Sequence, residues 1–302
     1  MPKKKITSIT HCGREITAQE LEDIKETVSM FQRLSRVELA QTIAENLQWY
    51  RASGTNKVDA SLKLLEKLES QGFLKLPEKR IKSKYTIKKK ILITDKTEPQ
   101  PEISCKLNKL YPVELEIVKD KDIAALWKEY VSRYHYLGYN KPFGYTLRYF
   151  ITSELGRLGC ILFSGAAKSM GTRDSWIGWT EKQRLNNLAW VINNSRFLIF
   201  PWVRVQNLAS HVFGQINRQI STHWQENWGY SPVLMETFVD PVHYQGTCYN
   251  AANWQYLGLT TGLGLVRKGK SYSTTPKKIL VKPLAKNFRD ILCSEKLVGR
   301  ML

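Results

Sequence analysis

The sequence predicts an α+β fold, close to the α/β type, in which a helical N-terminal module precedes a larger body. Two observations predict it. Residues 15–77 carry apolar residues at helical spacing, whereas from residue 107 onwards short apolar runs alternate with helical segments. With 302 residues, the chain is long enough for two domains, or for one large domain with a small appendage.

The N-terminal module is predicted to hold three helices and one strand. The first helix covers Glu20–Gln32, the second begins at the capping-box pattern of Ser35 and Glu38, and the third covers Lys57–Ser70. A short strand is predicted at Phe73–Pro77. Two interpretations stay open at this point, a helix-turn-helix or winged-helix unit and a helical hairpin that packs on the main body.

A basic linker, residues 79–106, separates the module, residues 1–78, from the body, residues 107–302. Its first twelve residues hold seven Lys or Arg and no acid. Like charges at this density resist compaction, so the segment is either a ribbon that lies along phosphates or a solvated linker. A second basic cluster lies in the C-terminal tail. The residues predicted to contact DNA are Arg80, Lys82, Lys84, Lys88, Lys89, Lys90, Arg267, Lys268 and Lys270.

The body is predicted to alternate strands with helices, without an internal repeat. Strands are predicted at Tyr145–Thr152, Gly159–Gly165, Arg196–Phe200 and Val233–Val239, and helices at Ala124–Ser132, from Glu181 onwards and at Leu208–Trp228. The run Gly159–Gly165 is apolar and bounded by glycine, which is typical of a central strand.

The composition favours a polyanionic partner. Lys and Arg number 46 against 27 Asp and Glu, so the formal net charge of +19 attracts nucleic acid first and an anionic membrane second. The sequence has no run of 18 apolar residues and no signal-peptide pattern, so neither a membrane span nor export is expected. Five widely spaced cysteines without a Cys-x-x-Cys pair favour reduced thiols in a cytoplasmic protein over a disulfide framework.

Polar residues of the body are concentrated at the ends of predicted strands. Glu236 has apolar neighbours within its strand, so it is either a general base with a raised pKa or a structural acceptor for Arg196 on the neighbouring strand. Asp240 precedes Pro241 and either ends the strand at a turn or belongs to a site. His135 lies at a helix end among tyrosines, as a catalytic or a structural residue.

The block Gly246–Trp254 follows these strands. Tyr249 and Asn253 are spaced i, i+4, so on a helix they share one face, where a phenol and an amide can position a substrate or donate a proton. The alternative is a core tyrosine whose hydroxyl is satisfied. Cys248 has no histidine at catalytic spacing and is assigned to the core. The sequence contains no Ser-His-Asp order, Walker loop or Gly-x-Gly-x-x-Gly motif.

Six motifs of the body occur in a recognisable order. They are Leu158–Gly165, Ile177–Trp179, Asn193–Val203, Asn207–Ser210, Glu236–Asp240 and Gly246–Trp254. Together they resemble the family of the Druantia anti-phage system protein DruA, and the resemblance covers roughly residues 30–285. It implies a DNA-binding component of a bacterial defence system that acts with a helicase or other defence proteins. The same block also precedes the catalytic domain of certain transposases, so a transposition-associated role is the alternative.

A more distant resemblance is to the phage Mom DNA-modification proteins, through a strand, a long helix, a strand ending at Asp240 and the pattern Gly-Thr-x-Tyr-x-Ala-x-Asn. It implies the GNAT acyltransferase-like fold, a mixed sheet flanked by helices. It also implies that Asp240, Tyr249 and Asn253 line a modification site and that Ser210 lies near it. Acyltransferases cradle a pyrophosphate on glycine N–H groups at the strand–helix turn. The matching turn here, Arg204–His211, has no glycine.

Four functions therefore remain open. The chain is a DNA-binding defence component, an enzyme that modifies bases with an acyl-CoA-like donor, a Mg²⁺-dependent nicking enzyme that uses Glu236 and Asp240, or a binding subunit without catalysis. Two carboxylates make a thin metal site, so no metal ligands are assigned.

Overall fold

The computed structural model describes residues 8–78, 91–262 and 274–295, which divide into two compact units. Unit 1 comprises Met1–Ile87, Thr180–Asn186 and Ser294–Leu302, and unit 2 comprises Lys88–Trp179 and Asn187–Cys293. Within those described ranges, the helices are all too short or too polar to cross a membrane.

Unit 1 begins with a hairpin that the sequence periodicity did not reveal. Its strands are β1, Ser8–His11, and β2, Arg14–Thr17, and they pair antiparallel across a two-residue turn. Both turn residues, Cys12 and Gly13, have positive φ angles, as a tight hairpin turn requires. Four-residue strands are too short to show a clear alternation of apolar and polar residues, which explains why the hairpin was missed.

Three helices follow, as the sequence predicts. They are α1, Ala18–Met30; α2, Arg36–Asn46; and α3, Val58–Ser70. Their apolar faces meet the hairpin in one core, whose fully buried members include Leu21, Leu39, Leu65 and Ile16. The helical prediction for this region is confirmed.

The prediction of a strand at Phe73–Pro77 is wrong. Its backbone groups bond to side chains of unit 1 and not to a neighbouring strand. Gln32 donates to the Lys75 carbonyl, Arg36 donates to the Pro77 carbonyl, and the Leu76 N–H donates to Glu69. Once these side chains satisfy the backbone, the segment has no need of a strand partner.

The N-terminus of α2 is fixed by the capping box that the sequence predicts. The Glu38 N–H donates to Ser35 Oγ at 3.3 Å, and the Ser35 N–H donates to the Glu38 carboxylate at 2.7 Å. We expect Ser35→Ala to lower the free energy of unfolding of unit 1 by about 1 kcal/mol, because a helix N–H loses its acceptor. Chemical denaturation followed by circular dichroism measures this change. The control is Ser29→Ala within α1, which we expect to leave stability unchanged or slightly raised, since alanine favours helix interiors.

Unit 2 is built on a seven-stranded mixed sheet flanked by helices, which confirms the predicted fold class. The strands and helices that follow in the chain are β3, Glu114–Ile117; α4, Lys121–Tyr134; β4, Leu147–Ser153; β5, Gly156–Gly165; α5, Gly171–Ile177; α6, Glu181–Asn187; β6, Val191–Ile199; α7, Leu208–Trp228; β7, Leu234–Val239; α8, Thr247–Ala251; β8, Gln255–Leu259; β9, Lys278–Pro283; and α9, Phe288–Leu292. All of them belong to unit 2 except α6, which apart from its last residue belongs to unit 1. Short 3₁₀ turns occur at Asp95–Thr97, Leu107–Lys109 and Leu188–Trp190.

The strand order is β3-β4-β5-β6-β7-β9-β8. All neighbours pair antiparallel except β6 and β7, which are parallel and are joined by the long helix α7. A parallel pair needs such a crossover connection. The core of unit 2 includes the fully buried side chains of Trp127 on α4 and Trp224 on α7.

Part of the predicted linker is packed on unit 2. Thr94 Oγ1 and Thr97 Oγ1 donate to the buried Glu129 carboxylate on α4 at 2.9 and 2.8 Å, and the Ile103 N–H donates to the Trp202 carbonyl at 2.8 Å. Residues 94–103 are therefore part of unit 2 and not a free linker. The prolines and polar residues of this segment predict a linker. The hydrogen-bond acceptor of Thr94 and Thr97, Glu129, lies 32 to 35 residues away in the chain, so the composition of the segment does not reveal it.

Candidate functional site

The candidate site is a cleft that opens where β6 and β7 diverge. Their parallel ladder extends only from Val191–Leu234 to Asn193–Glu236, although β6 continues to Ile199 and β7 to Val239. On the other side of β6, the register of its pairing with β5 shifts between Leu162 and Phe163. We infer that this shift is a β-bulge, which bends its strand and increases the local twist, and that it turns β6 away from β7.

The cleft has a volume of about 350 Å³, within the usual range for small-molecule sites. Its walls are the separated halves of β6 and β7, the end of α4, the first turn of α7, the loop after β7, and α8. The lining includes His135, Tyr136, Asn194, Arg196, Asp240, Tyr244 and Tyr249.

Where the backbone ladder between β6 and β7 ends, side-chain hydrogen bonds link β6 to β7 and to α8 on the inner wall of the cleft. Thr237 Oγ1 on β7 donates to the Asn194 carbonyl on β6 at 2.9 Å. The buried Tyr249 hydroxyl donates to Asn194 Oδ1 at 2.7 Å, and burial raises the pKa of Tyr249 above its ordinary value. Tyr249 is thus a protonated wall residue whose hydroxyl hydrogen already has an acceptor.

Asp240 provides the carboxylate of the cleft. Thr275 Oγ1 donates to Oδ2 at 2.8 Å and the Val242 N–H donates to Oδ1 at 3.1 Å. Partial burial on its own raises the pKa of Asp240, but these two hydrogen bonds and the charge of Lys277 outweigh it, and the net pKa is lowered. Asp240 is therefore ionised at neutral pH.

His135 and Arg196 provide hydrogen-bond donors. Burial, and secondarily the positive charge of Arg196, lower the pKa of His135 to about 4, so its imidazole is neutral. His135 Nδ1 accepts the Leu137 N–H at 3.2 Å, which leaves the hydrogen on Nε2. Arg196 donates to the Gly138 and Ser195 carbonyls at 2.9 and 2.6 Å. Within the described ranges, no carboxylate forms a salt bridge with Arg196.

Aromatic rings from two loops meet at the mouth of the cleft. Tyr136 follows α4, and its ring centroid lies 4.7 Å from that of His243 and 5.7 Å from that of Tyr244 in the loop after β7. Tyr136 is 40% exposed and Tyr244 is 57% exposed. Sequence reasoning missed this pair. The available signal was two aromatic runs, each placed directly after a predicted element.

Glu236 lies outside the cleft lining, and the prediction that it accepts from Arg196 is wrong. Its fully buried carboxylate accepts from Arg173 Nη1 at 2.7 Å and from the Ala167 N–H at 2.7 Å. Burial raises the pKa of Glu236, while the Arg173 charge opposes that shift. Glu236 and Asp240 are four strand residues apart, about 13 Å at strand spacing, so the two carboxylates do not share one metal ion.

Two further predicted residues also lie outside the cleft lining. α8 ends at Ala251, and Asn253 adopts a positive φ beyond it, so the prediction of a shared helix face with Tyr249 is wrong. The Asn253 carbonyl accepts from Lys282, and the side chain is exposed. Ser210 is in the first turn of α7, where its hydroxyl donates to the Asn207 carbonyl at 3.0 Å. Cys248 does line the cleft, but burial raises the pKa of its thiol to about 11.

The nine basic residues predicted to contact DNA lie outside the described residues. The ends of the segment that holds Arg267, Lys268 and Lys270 are nonetheless described. The Thr274 N–H donates to the Gly262 carbonyl at 2.6 Å, and the next residue, Thr275, bonds to Asp240. Of the described residues that flank this segment, Thr275 therefore contacts the carboxylate of Asp240 in the cleft lining.

The turn before α7 does not fit the pyrophosphate cradle of an acyl donor. Asn207 has a positive φ of 64° there, and the residues from Arg204 to Asn207 all carry side chains. A cradle of this kind depends on glycine to let phosphate oxygens approach the backbone. No step of the function proposed below uses such a donor.

The family model that matches the chain is described as "Druantia protein DruA", and it covers residues 67–272. No curated protein matches the chain in sequence. The solved structures that match include a spermidine N-acetyltransferase chimera from Vibrio cholerae (8% identity, TM-score 0.35, 57% of this chain and 95% of that chain). A second is a Bacillus subtilis acetyltransferase in complex with CoA (10% identity, TM-score 0.31, 57% of this chain and 99% of that chain). A third is an N-acyl amino acid synthase from uncultured soil microbes (13% identity, TM-score 0.32, 57% of this chain and 91% of that chain). Structural similarity at these TM-scores gives no information about the activity of the chain.

Proposed function

Because the chain belongs to the family of Druantia protein DruA, we propose that it is the DNA-binding component of a Druantia antiviral defence system and that its β6–β7 cleft receives the nucleic acid. The observation that carries the proposal is the net charge of +19. Lys and Arg side chains neutralise the closely spaced phosphates of a nucleic-acid backbone, so a strongly basic chain attracts nucleic acid.

Most of the net charge belongs to four short segments, residues 1–7, 79–90, 263–273 and 296–302. They contain 15 of the 46 Lys and Arg residues and no Asp or Glu, so they account for 15 of the 19 net positive charges. Thr275, which follows the third of these segments in the chain, donates to Asp240 Oδ2 in the cleft lining. Arg196, without a carboxylate partner among the described residues, adds a guanidinium inside the cleft.

The titratable groups of the cleft favour binding over proton transfer. General acid–base catalysis works best with a pKa near the working pH. In the described cleft the pKa of His135 is lowered to about 4 and that of Cys248 is raised to about 11, while the pKa of Asp240 is lowered and those of Tyr136 and Tyr249 are raised. A binding subunit is therefore the better supported function, and base modification is the second candidate.

We propose further that the chain delivers DNA to partner proteins of the same defence system, a helicase among them. The resolved pKa shifts in the described cleft all lead away from neutrality, which favours a separate partner for the processing of the DNA. Mass spectrometry of nucleosides after incubation with DNA tests the second candidate, and a new modified base would establish an enzyme.

DNA binding is expected to depend steeply on salt. If six or more phosphates are contacted, the affinity for a 20-base-pair duplex falls about 10³-fold or more between 50 and 200 mM NaCl. Replacing Lys82, Lys84, Lys88 and Lys89 by Gln removes four of those contacts, so the slope of log K against log salt is reduced by about 3 to 4. Fluorescence anisotropy with a labelled duplex measures both quantities.

The matched control replaces four exposed lysines of unit 2, Lys106, Lys109, Lys119 and Lys121, by Gln. It lowers the net charge by the same amount but leaves the proposed contact segment intact, so we expect the slope to change by less than half as much. Binding that changes less than threefold across this salt range would exclude the proposed function. Equal losses in the two variants would show that only overall charge matters.

A further inference from the structure

We propose that the cleft takes a single unstacked nucleobase of single-stranded DNA, which stacks on the rings of Tyr136 and Tyr244 at its mouth. The inference rests on the proposed function and adds to it the form of the nucleic acid and the residues that read it. It follows from the position of these rings relative to the donors behind them.

The two tyrosines form a partly exposed aromatic surface. Their ring centroids are 5.7 Å apart with an interplanar angle of 58°. The ring of His135 stacks on Tyr136 with centroids 5.0 Å apart, and the centroid of His243 lies 4.7 Å from that of Tyr136. Both tyrosines are more than one third exposed, and Val242 and Leu137 beside them are 70% and 42% exposed. Aromatic rings held open to solvent beside positive charge are the usual platform for stacking unpaired bases.

The cleft behind the rings holds hydrogen-bond donors and an acceptor that are complementary to the edge of a nucleobase. His135 Nε2 carries a hydrogen, and the Arg196 guanidinium lies on the β6 wall, so carbonyl and ring-nitrogen acceptors of a base find donors there. The ionised Asp240 carboxylate faces the same space and accepts from an exocyclic amino group. Enzymes and binding proteins that extrude a base read it by this combination of ring stacking and hydrogen bonds to its edge.

The cleft is small, with a volume of about 350 Å³ at the low end of ligand sites. Bases in a duplex stay stacked on each other and do not present a face to the tyrosines. Burial, aided by the charge of Asp240, raises the pKa of Tyr136, so its ring stays uncharged beside the phosphates. The site therefore selects single strands or strand openings over intact duplex.

The first test compares affinities for a 12-nucleotide single strand and a duplex of the same length at equal salt. We expect Tyr136→Ala and Tyr244→Ala each to weaken single-strand binding by about 5- to 150-fold, the range that loss of one stacked base produces, with the duplex affinity changed less than twofold. Tyr136→Phe keeps the ring and is expected to bind as the wild-type chain does. The matched control is Tyr256→Ala on β8, which is 52% exposed and outside the cleft lining.

The second test uses the wild-type chain and so does not depend on the folding of any variant. A single strand with one 5-iodouracil is irradiated with the protein, and the cross-linked peptide is identified by mass spectrometry. We expect the cross-link on Tyr136 or Tyr244.

The outcomes separate the two proposals. If the wild-type chain binds neither strand form at low salt, the proposed function fails. If it binds both forms with a steep salt dependence, but the tyrosine variants bind as tightly as wild type and the cross-link lies elsewhere, only the stacking proposal fails. The aromatic surface would then be assigned to contact with a protein partner.

Discussion

Arg173→Ala is expected to lower the free energy of unfolding of unit 2 by about 3–5 kcal/mol, because it leaves the Glu236 carboxylate buried without its charge partner. Arg173 and Glu236 are both fully buried, and Nη1 and Oε2 are 2.7 Å apart. The same guanidinium donates to the Ala167 carbonyl at 2.9 Å and to Asp174 Oδ1 at 2.7 Å. A single truncation therefore removes several hydrogen bonds from a fully buried site.

The position of this ion pair makes it important for the cleft as well as for stability. Glu236 pairs with Asn193 at the last rung of the β6–β7 ladder, directly before the strands separate. Arg173 ties that rung to the loop before α5, and Asp174 in turn accepts from Trp179 Nε1 at 3.1 Å. We infer that the network holds the fork at which the two strands part.

Chemical denaturation followed by tryptophan fluorescence measures the loss, and Arg204→Ala is the matched control. Arg204 forms an exposed ion pair with Glu102 at 3.8 Å, so its removal is expected to cost less than about 0.5 kcal/mol. A loss below about 1 kcal/mol in Arg173→Ala would contradict the proposed role of the pair. Substitution of both partners, Arg173→Met with Glu236→Leu, is expected to recover part of the loss.

The elements that the sequence predicted best are those with long periodic patterns. The helix expected at Leu208–Trp228 has those same bounds in the structure, and the capping box at Ser35 marks the start of α2 as expected. The strands at β5 and β7 also lie where apolar runs predicted them. In each case the signal is local, because the residues that determine the element are the residues within it.

The candidate site was less predictable because its residues are brought together by tertiary structure. Asp240 and His135 were expected at a site and do line the cleft, but the partner of Glu236 is Arg173, 63 residues away. The bulge at β6, which opens the cleft, leaves no mark in the apolar pattern of that strand. Pairings over such distances depend on strand order, and a single sequence does not give strand order.

Gly159→Ala is expected to destabilise unit 2 by about 3 kcal/mol, at the upper end for overpacking, because the added methyl has no space. Gly159 on β5 pairs with Ile199 on β6. A Cβ at this position would overlap with the backbone carbonyl oxygen of Leu198 and lie 3.1 Å from the Ile151 side chain. Since Leu198 is backbone-paired and lines the cleft, relief of the overlap displaces β6 itself.

The comparison with Gly171→Ala separates this steric effect from a general cost of replacing glycine. Gly171 begins α5, and an added Cβ meets nothing within 4 Å there, so we expect its free energy of unfolding to stay within about 0.5 kcal/mol of wild type. Thermal denaturation of both variants measures the difference, and single-strand binding measures the consequence for the cleft. If Gly159→Ala is as stable as Gly171→Ala, the close packing of β5 on β6 is not what fixes the cleft wall. If it is destabilised but binds normally when folded, the cleft wall tolerates the displacement of β6.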